Sequence, residues 1–446
     1  MTAEPLLDVC ERVLGLVGTD AEAEVTATAG TESLTRFATS FIHQNVTDGS
    51  RLVRLRVALD GRVAEATANQ IDDDSLARLV RSTLDAARLQ PVDPGWPGLA
   101  PPAAVPSIDH WDDATADAEP AARAERVSAF VRAADGLETA GFCSTEGLEV
   151  GFANSAGQRA SGRSTTALLD GIARTGTSDA SARGASVRLD DLDGSAAGSE
   201  ATRLARDAAG ASDLDPGTYE VVLSPSCVVN VLGFLALYGF NGRAVEEGRS
   251  FARIGEAQFD AAVDLADDAA HPTAVGIGFD AEGTPKRRLE LVRGGVTSGL
   301  VHDRRTAKAL GAESTGNAIA GAGPFGALPA NLVLAPGSDA PDALVGGVER
   351  GLLVTDFWYT RILDPRTMVV TGLTRNGVWL VEDGTIVRPV TNLRFTQSYL
   401  EALAPGAVRG IGSDQTLVGG GIFGLGAYVV SSLHLAAWSF TGGAKG

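Results

Sequence analysis

Cysteine is scarce in this chain, with only Cys10, Cys143 and Cys227, an odd and widely spaced set without a CxxC pair. That excludes a disulfide framework and suits a reducing compartment. Histidine is almost as rare: His43, His110, His271, His302 and His434 never come within 30 residues of one another, and neither HExxH nor HExxxH occurs. A helical pair of zinc ligands is therefore missing. The absence of GxSxG excludes a nucleophile elbow. Basic residues are in deficit, 37 against 56 acidic ones, and the resulting net charge of −19 repels phosphate backbones and anionic lipid. Neither nucleic acid nor a membrane is an expected partner. Long apolar runs are lacking too, since Cys227 to Phe240 gives 14 residues with Asn230 inside, short of the roughly 20 that a span needs. The opening segment MTAEPLLDVCERVLGLV carries acids where a signal peptide carries Lys or Arg, so a cytoplasmic location is expected.

What is present is a globular balance, 44% hydrophobic and 21% charged over 446 residues, enough for two or three domains. The 54 glycines, many in GG and DG pairs after residue 140, imply frequent turns and favour β-structure in the C-terminal half. Apolar residues at helical spacing predict a helix over 5–17. EVTATAG, LTRFATSFIHQNVTD and RLVRLRVALDG predict strands, with Asp60-Gly61 as a hairpin turn. Helices are expected at 72–89, 119–137 and 198–212. Six prolines between residues 90 and 106 mark a boundary. Beyond Tyr219, strand-like runs such as AVGIGFD, RRLELVRGG, NLVLAPG and GLLVTDFWYTRILD recur with turns about every ten residues, fitting a large antiparallel sheet or barrel. The expectation is an α+β protein: N-terminal domain 1–100, central domain 107–213, and a β-rich domain 218–446.

Few residues offer chemistry. VVNVLGFLALYGFNG, 228–242, reads as an apolar helix ending at Asn241-Gly242. Cys227 stands at its start, where a helix N-terminus lowers a thiol pKa; burial as a small hydrophobe is the commoner fate. His43, on a strand of mixed polarity, and His302 beside Asp303 are candidates for a cleft, the latter two as an acid/base pair or as a turn cap. GAGPFG at 321–326 and GGGIFG at 419–424 match GxGxxG, but neither sits between a strand and a helix with room for a βαβ unit.

Together these segments carry a resemblance. SLTRFATSFIHQNV, DGRVAEATANQIDDDSLARLV, EGLEVGFANSAGQRASGRST, FDAEGTPKRRLELVRGGVTSGLVHDRRTAKALGAESTGNA and VWLVEDGTIVRPV resemble, over nearly the whole chain, the TldD/PmbA peptidase family, also called modulator of DNA gyrase. The resemblance implies a heterodimer of related subunits. TldD carries zinc on a helical HExxxH with a later Cys and acts on unstructured peptides or on leader peptides of modified peptides; TldE/PmbA lacks the metal set. Here the family's metal helix falls on NVLGFLALYG, with ligand positions at about Gly233, Phe234 and Leu237 or Tyr238, none able to bind zinc. The later Cys falls within DQTLVGGGIFGLG, which has none. The resemblance thus implies the metal-free subunit, with zinc in a TldD-type partner and no cofactor of its own. Open alternatives are a peptide-binding homodimer and a metal-independent enzyme using His302 with Asp303 or Cys227.

Overall fold

The computed structural model describes residues 4–321, 325–419 and 426–443. Helix α1 (Leu6–Val17) is followed by β1 (Glu22–Ala38), β2 (Phe41–Leu59) and β3 (Arg62–Ala68). Asp60 and Gly61 join the last two with φ of 49° and 74°, the left-handed pair that a two-residue hairpin turn of right-handed strands requires. Helix α2 (Asp73–Leu89) starts where its acids predict, because the Asp72 carboxylate accepts the Ser75 N–H at 2.9 Å.

After the proline-rich segment come α3 (Asp113–Ala116), α4 (Pro120–Ala133), β4 (Glu138–Asn154), β5 (Arg159–Arg174), β6 (Asp179–Ser186) and α5 (Gly194–Asp207). This last helix lies earlier than the expected 198–212, because Asp193 caps it by accepting the N–H groups of Ser195 and Ala196. The proline-rich segment separates two cores but not two sheets. Val9, Val25, Leu55 and Leu76 belong to one core and Phe37, Phe130 and Leu169 to the other. Pairing of β1 with β4 joins the strands of both units into one sheet, in the order β3-β2-β1-β4-β5-β6.

The third unit opens with β7 (Gly217–Leu223) and α6 (Pro225–Tyr238). One sheet combines β8 (Leu265–Asp267), β9 (Leu289–Arg293), β10 (Val296–Thr297), β11 (Leu332–Leu334), β17 (Thr416–Gly419) and β18 (Ala427–Val430), with β17 at its end. The other holds β7, β12 (Arg350–Asp364), β13 (Val369–Glu382), β14 (Thr385–Pro389), β15 (Leu393–Ser398), β16 (Val408–Ile411) and β19 (Leu433–Gly443). Because β12 also pairs with β13, the path β12-β7-β19-β15-β13 closes into a ring. Phe357, Phe395, Tyr399 and Trp438 pack together there, with ring centroids 4.6 to 5.5 Å apart, and each such pair adds roughly 0.5–1.5 kcal/mol beyond its buried area.

AVGIGFD is not a strand. A Cβ at Gly278 would collide with the Pro106 carbonyl, and the Val275 carbonyl accepts from the Asn331 side chain at 2.6 Å, so this segment is held against the proline-rich segment instead of entering a ladder. Asn241-Gly242 also departs from expectation. Asn241 does not end α6; its side chain accepts the Arg243 N–H and starts α7 (Gly242–Glu246).

Candidate functional site

Helix α6 forms one wall of a cleft of about 950 Å³ between the N-terminal sheet and the third unit. It follows β7 through Ser224-Pro225, with proline in the first turn, where its fixed φ and missing N–H cost nothing. The Ser224 hydroxyl does not cap the helix; it donates to the Thr355 carbonyl at 2.5 Å and ties the helix start to β12. Ten of the fourteen helical residues are buried, so most of the surface of α6 is core. The side turned to the cleft carries Ser226, Val229, Asn230 and Phe234.

Asn230 is the polar member of the middle of that helix. It donates to the Thr360 hydroxyl at 2.9 Å and accepts from the Tyr399 hydroxyl at 2.8 Å, joining α6 to β12 and to the aromatic core. Burial holds the Tyr399 hydroxyl protonated, with its pKa raised well above the ordinary value.

From the opposite wall, Arg183 on β6 reaches Asp170 on β5 and Asp356 on β12, each at 2.8 Å, and its guanidinium donates to the Ser226 hydroxyl at 3.3 Å. Burial opposes the charged guanidinium, but Asp356 and Asp170 more than offset it and raise its pKa. Asn376, in the left-handed region at φ 59°, donates to Asp356 at 3.3 Å. This network bolts the two walls together at the start of α6. Nothing in the sequence announced Arg183, Asp170 or Asp356, which lie far apart in the chain; the lone Asn in an apolar helix was the one local signal available.

Of the four degenerate positions, only Phe234 lines the cleft. Gly233 and Leu237 are buried away from the cleft lining, and Tyr238 stacks on Phe234 at the helix end, with centroids 6.1 Å apart. The remaining candidates stand elsewhere. His43 is exposed on β2, edge-on to Phe41. His302 is buried behind Gly242, and burial lowers its pKa. Asp303 caps α8 (Arg304–Leu310), accepting the Thr306 N–H at 2.7 Å and its hydroxyl at 2.8 Å. His302 and Asp303 therefore do not form an acid/base pair. Burial pushes the Cys227 thiol well above its ordinary pKa, and the thiol donates to the Val354 carbonyl at 3.5 Å, which suits packing and not nucleophilic attack.

Among the described residues no group of three or more His, Cys, Asp or Glu side chains is gathered to hold a metal ion. Val229 and Phe234 supply no donor atom, and Asn230 spends its amide on Thr360 and Tyr399. The residues that α6 turns to the cleft do not fit zinc. Residues 322–324 of the first GxGxxG match, 420–424 of the second, and 420–425 of the glycine-rich run at the expected Cys position lie outside the described residues.

Comparison with known proteins places this geometry. The profile of the PmbA/TldA metallopeptidase C-terminal domain matches residues 216–442, just over half the chain. A protein named metalloprotease from Methanothermobacter thermautotrophicus is 28% identical over 228 residues, which are 49% of this chain and 47% of that relative. The match therefore spans about half the length of each. Among solved structures, TldE from Thermococcus kodakarensis superposes with a TM-score of 0.87 at 18% identity, covering 98% of this chain and 99% of that one. A protein described as a candidate modulator of DNA gyrase from Thermotoga maritima gives 0.86 at 17% identity, covering 97% and 99%. At such identities the superpositions establish the fold, an α+β architecture rich in antiparallel strands.

Proposed function

We propose, because this chain belongs to the TldD/PmbA metallopeptidase family, that it is the metal-free, TldE/PmbA-type subunit of a peptidase whose zinc sits in a TldD-type partner. The observation that carries this reading is the cleft face of α6. Val229, Asn230 and Phe234 stand at i, i+1 and i+5, the spacing of HExxxH, and turn to one cleft. We take this register in place of the one at Gly233, Phe234 and Leu237 or Tyr238, of which Phe234 alone lines the cleft. In this register, two ligand positions are apolar and the general-base position is an amide, so this chain contributes walls and not chemistry.

The substrate of the complex is an unstructured peptide or the leader of a modified peptide. Both β6 and β17 end their sheets and line the cleft, and a strand at the end of a sheet can take an extended chain through backbone hydrogen bonds that tolerate varied side chains. The proposed compartment is the cytoplasm, in keeping with three buried, unpaired cysteines. No helix among the described residues is long and apolar enough to cross a membrane. The metal-independent alternative loses support from the use of Asp303 as the cap of α8 and from the buried Cys227.

Co-expression with a TldD-type chain tests the assignment. A one-to-one complex on size-exclusion chromatography is expected. A chain that stays a homodimer in that mixture would support peptide sequestration instead.

A further inference from the structure

Among the described residues four arginines lie over aromatic rings. Arg56 over Trp96 and Arg163 over Trp111 also meet carboxylates, Glu24 and Asp113 respectively. The other two are different. Arg361 lies over Tyr359 at 4.5 Å and Arg375 over Trp358 at 4.2 Å, and among the described residues neither guanidinium has a carboxylate within 4 Å. Both belong to the β12–β13 pair, where Trp358 faces Leu373 and Arg361 faces Thr371 across a bulge.

The bulge has a local cause and a local effect. Tyr359 sits in the left-handed region at φ 54°, costly for an aromatic residue, by about 1–3 kcal/mol. The extra residue throws its ring out of the pleat to the cleft, where Tyr359 is 64% exposed; Trp358 beside it is 53% exposed and lies outside the cleft lining. Tyr359 and Thr360 are themselves cleft residues, and Thr360 is the partner of Asn230. The patch therefore continues the cleft outward.

A guanidinium held over a ring keeps N–H donors free for a ligand and loses little freedom on binding. Arg375 faces Asp356 across the ladder, but that carboxylate is paired with Arg183, so in a chain of net charge −19 the two guanidinia form a local cationic spot that favours carboxylates over neutral side chains. At physiological salt the Debye length is about 8 Å, so charges farther than that from these guanidinia are largely screened.

We propose that Arg361 and Arg375, set on Tyr359 and Trp358, form a rim subsite that selects extended peptides carrying acidic side chains. This rests on the reading of the cleft as a peptide site. It gives the otherwise metal-free subunit a share in choosing the substrate.

Fluorescence anisotropy of the full chain at about 0.15 M salt tests it, using a labelled unstructured peptide rich in Glu and the same peptide with every Glu replaced by Gln. The acidic peptide should bind about tenfold more tightly, which corresponds to about 1.4 kcal/mol. In the Arg361→Gln/Arg375→Gln double variant the ratio of the two affinities should collapse toward one. Equal binding of both peptides to the wild type, or an unchanged ratio in the double variant, would overturn the subsite and leave the peptide cleft standing. Binding of neither peptide would overturn the cleft reading as well. If the double variant keeps its ratio but no longer co-purifies with a TldD-type chain, the patch is a subunit contact and the inference falls.

Discussion

At the scale of the residue, Asn230 shows how one polar group is spent in an apolar helix. Its carbonyl oxygen is the acceptor for the Tyr399 hydroxyl, and Tyr399 is fully buried. Asn230→Ala should therefore destabilise the protein by about 1–3 kcal/mol, the cost of a buried donor left without a partner. Adding Tyr399→Phe removes the orphan hydroxyl, so the double variant should be more stable in urea than Asn230→Ala alone. Additive losses would mean that the hydrogen bond carries no coupling. The same residue explains why the register of α6 was hard to read. With ten of fourteen positions buried, no apolar and polar period marks a face, and a single Asn at one position does not fix a spacing.

At the scale of the element, glycines separate close packing from open space. A Cβ at Gly239, where α6 ends, would fall within the Phe251 ring and against the Leu235 carbonyl, whereas one at Gly15 in α1 would meet nothing within 4 Å. Gly239→Ala should cost about 1–3 kcal/mol through overpacking, and Gly15→Ala should stabilise by about 0.5–1 kcal/mol through helix propensity. Thermal melts of the two variants should shift in opposite directions; a neutral Gly239→Ala would contradict the packing of α6 on Phe251. Element legibility follows the same physics. Helix α2 was plain because cap, acids and period agree at Asp72, and the β2–β3 turn was plain because Asp-Gly tolerates positive φ. AVGIGFD misled because its apolar alternation looks like a strand, while its partners are the Pro106 carbonyl and the Asn331 side chain, distant in sequence.

At the scale of the whole molecule, the N-terminal sheet meets the third unit through charges that no sequence pattern pairs. Arg56 on β2 contacts Glu24 at 2.6 Å and Glu282 at 3.1 Å. Burial raises Glu24 to about 7 against Arg56, which lowers it, and with Glu282 and Asp280 adding to the rise. Burial likewise raises Asp280 to about 7. A raised carboxylate binds its proton more tightly folded than unfolded, so its contribution to stability is present at acid pH and is lost as pH rises from about 4.5 through 7. The buried histidines, with lowered pKa values, act in the opposite sense. Comparison with Glu24→Gln isolates the carboxylate. The stability of the wild type relative to this variant should fall between pH 5 and pH 8, by no more than about 1.4 kcal/mol per pH unit. A difference that stays flat over that range would remove Glu24 from the docking account.

The central claim is that α6 lines a peptide cleft while the metal belongs to the partner. Zinc content and peptide cleavage, measured on the isolated chain and on its complex with a TldD-type subunit, test it most directly. The account predicts no stoichiometric zinc and no cleavage for the chain alone, and chelator-sensitive cleavage with zinc held by the partner in the complex. Chelator-sensitive cleavage by the isolated chain, with zinc bound wholly by its own residues, would contradict it.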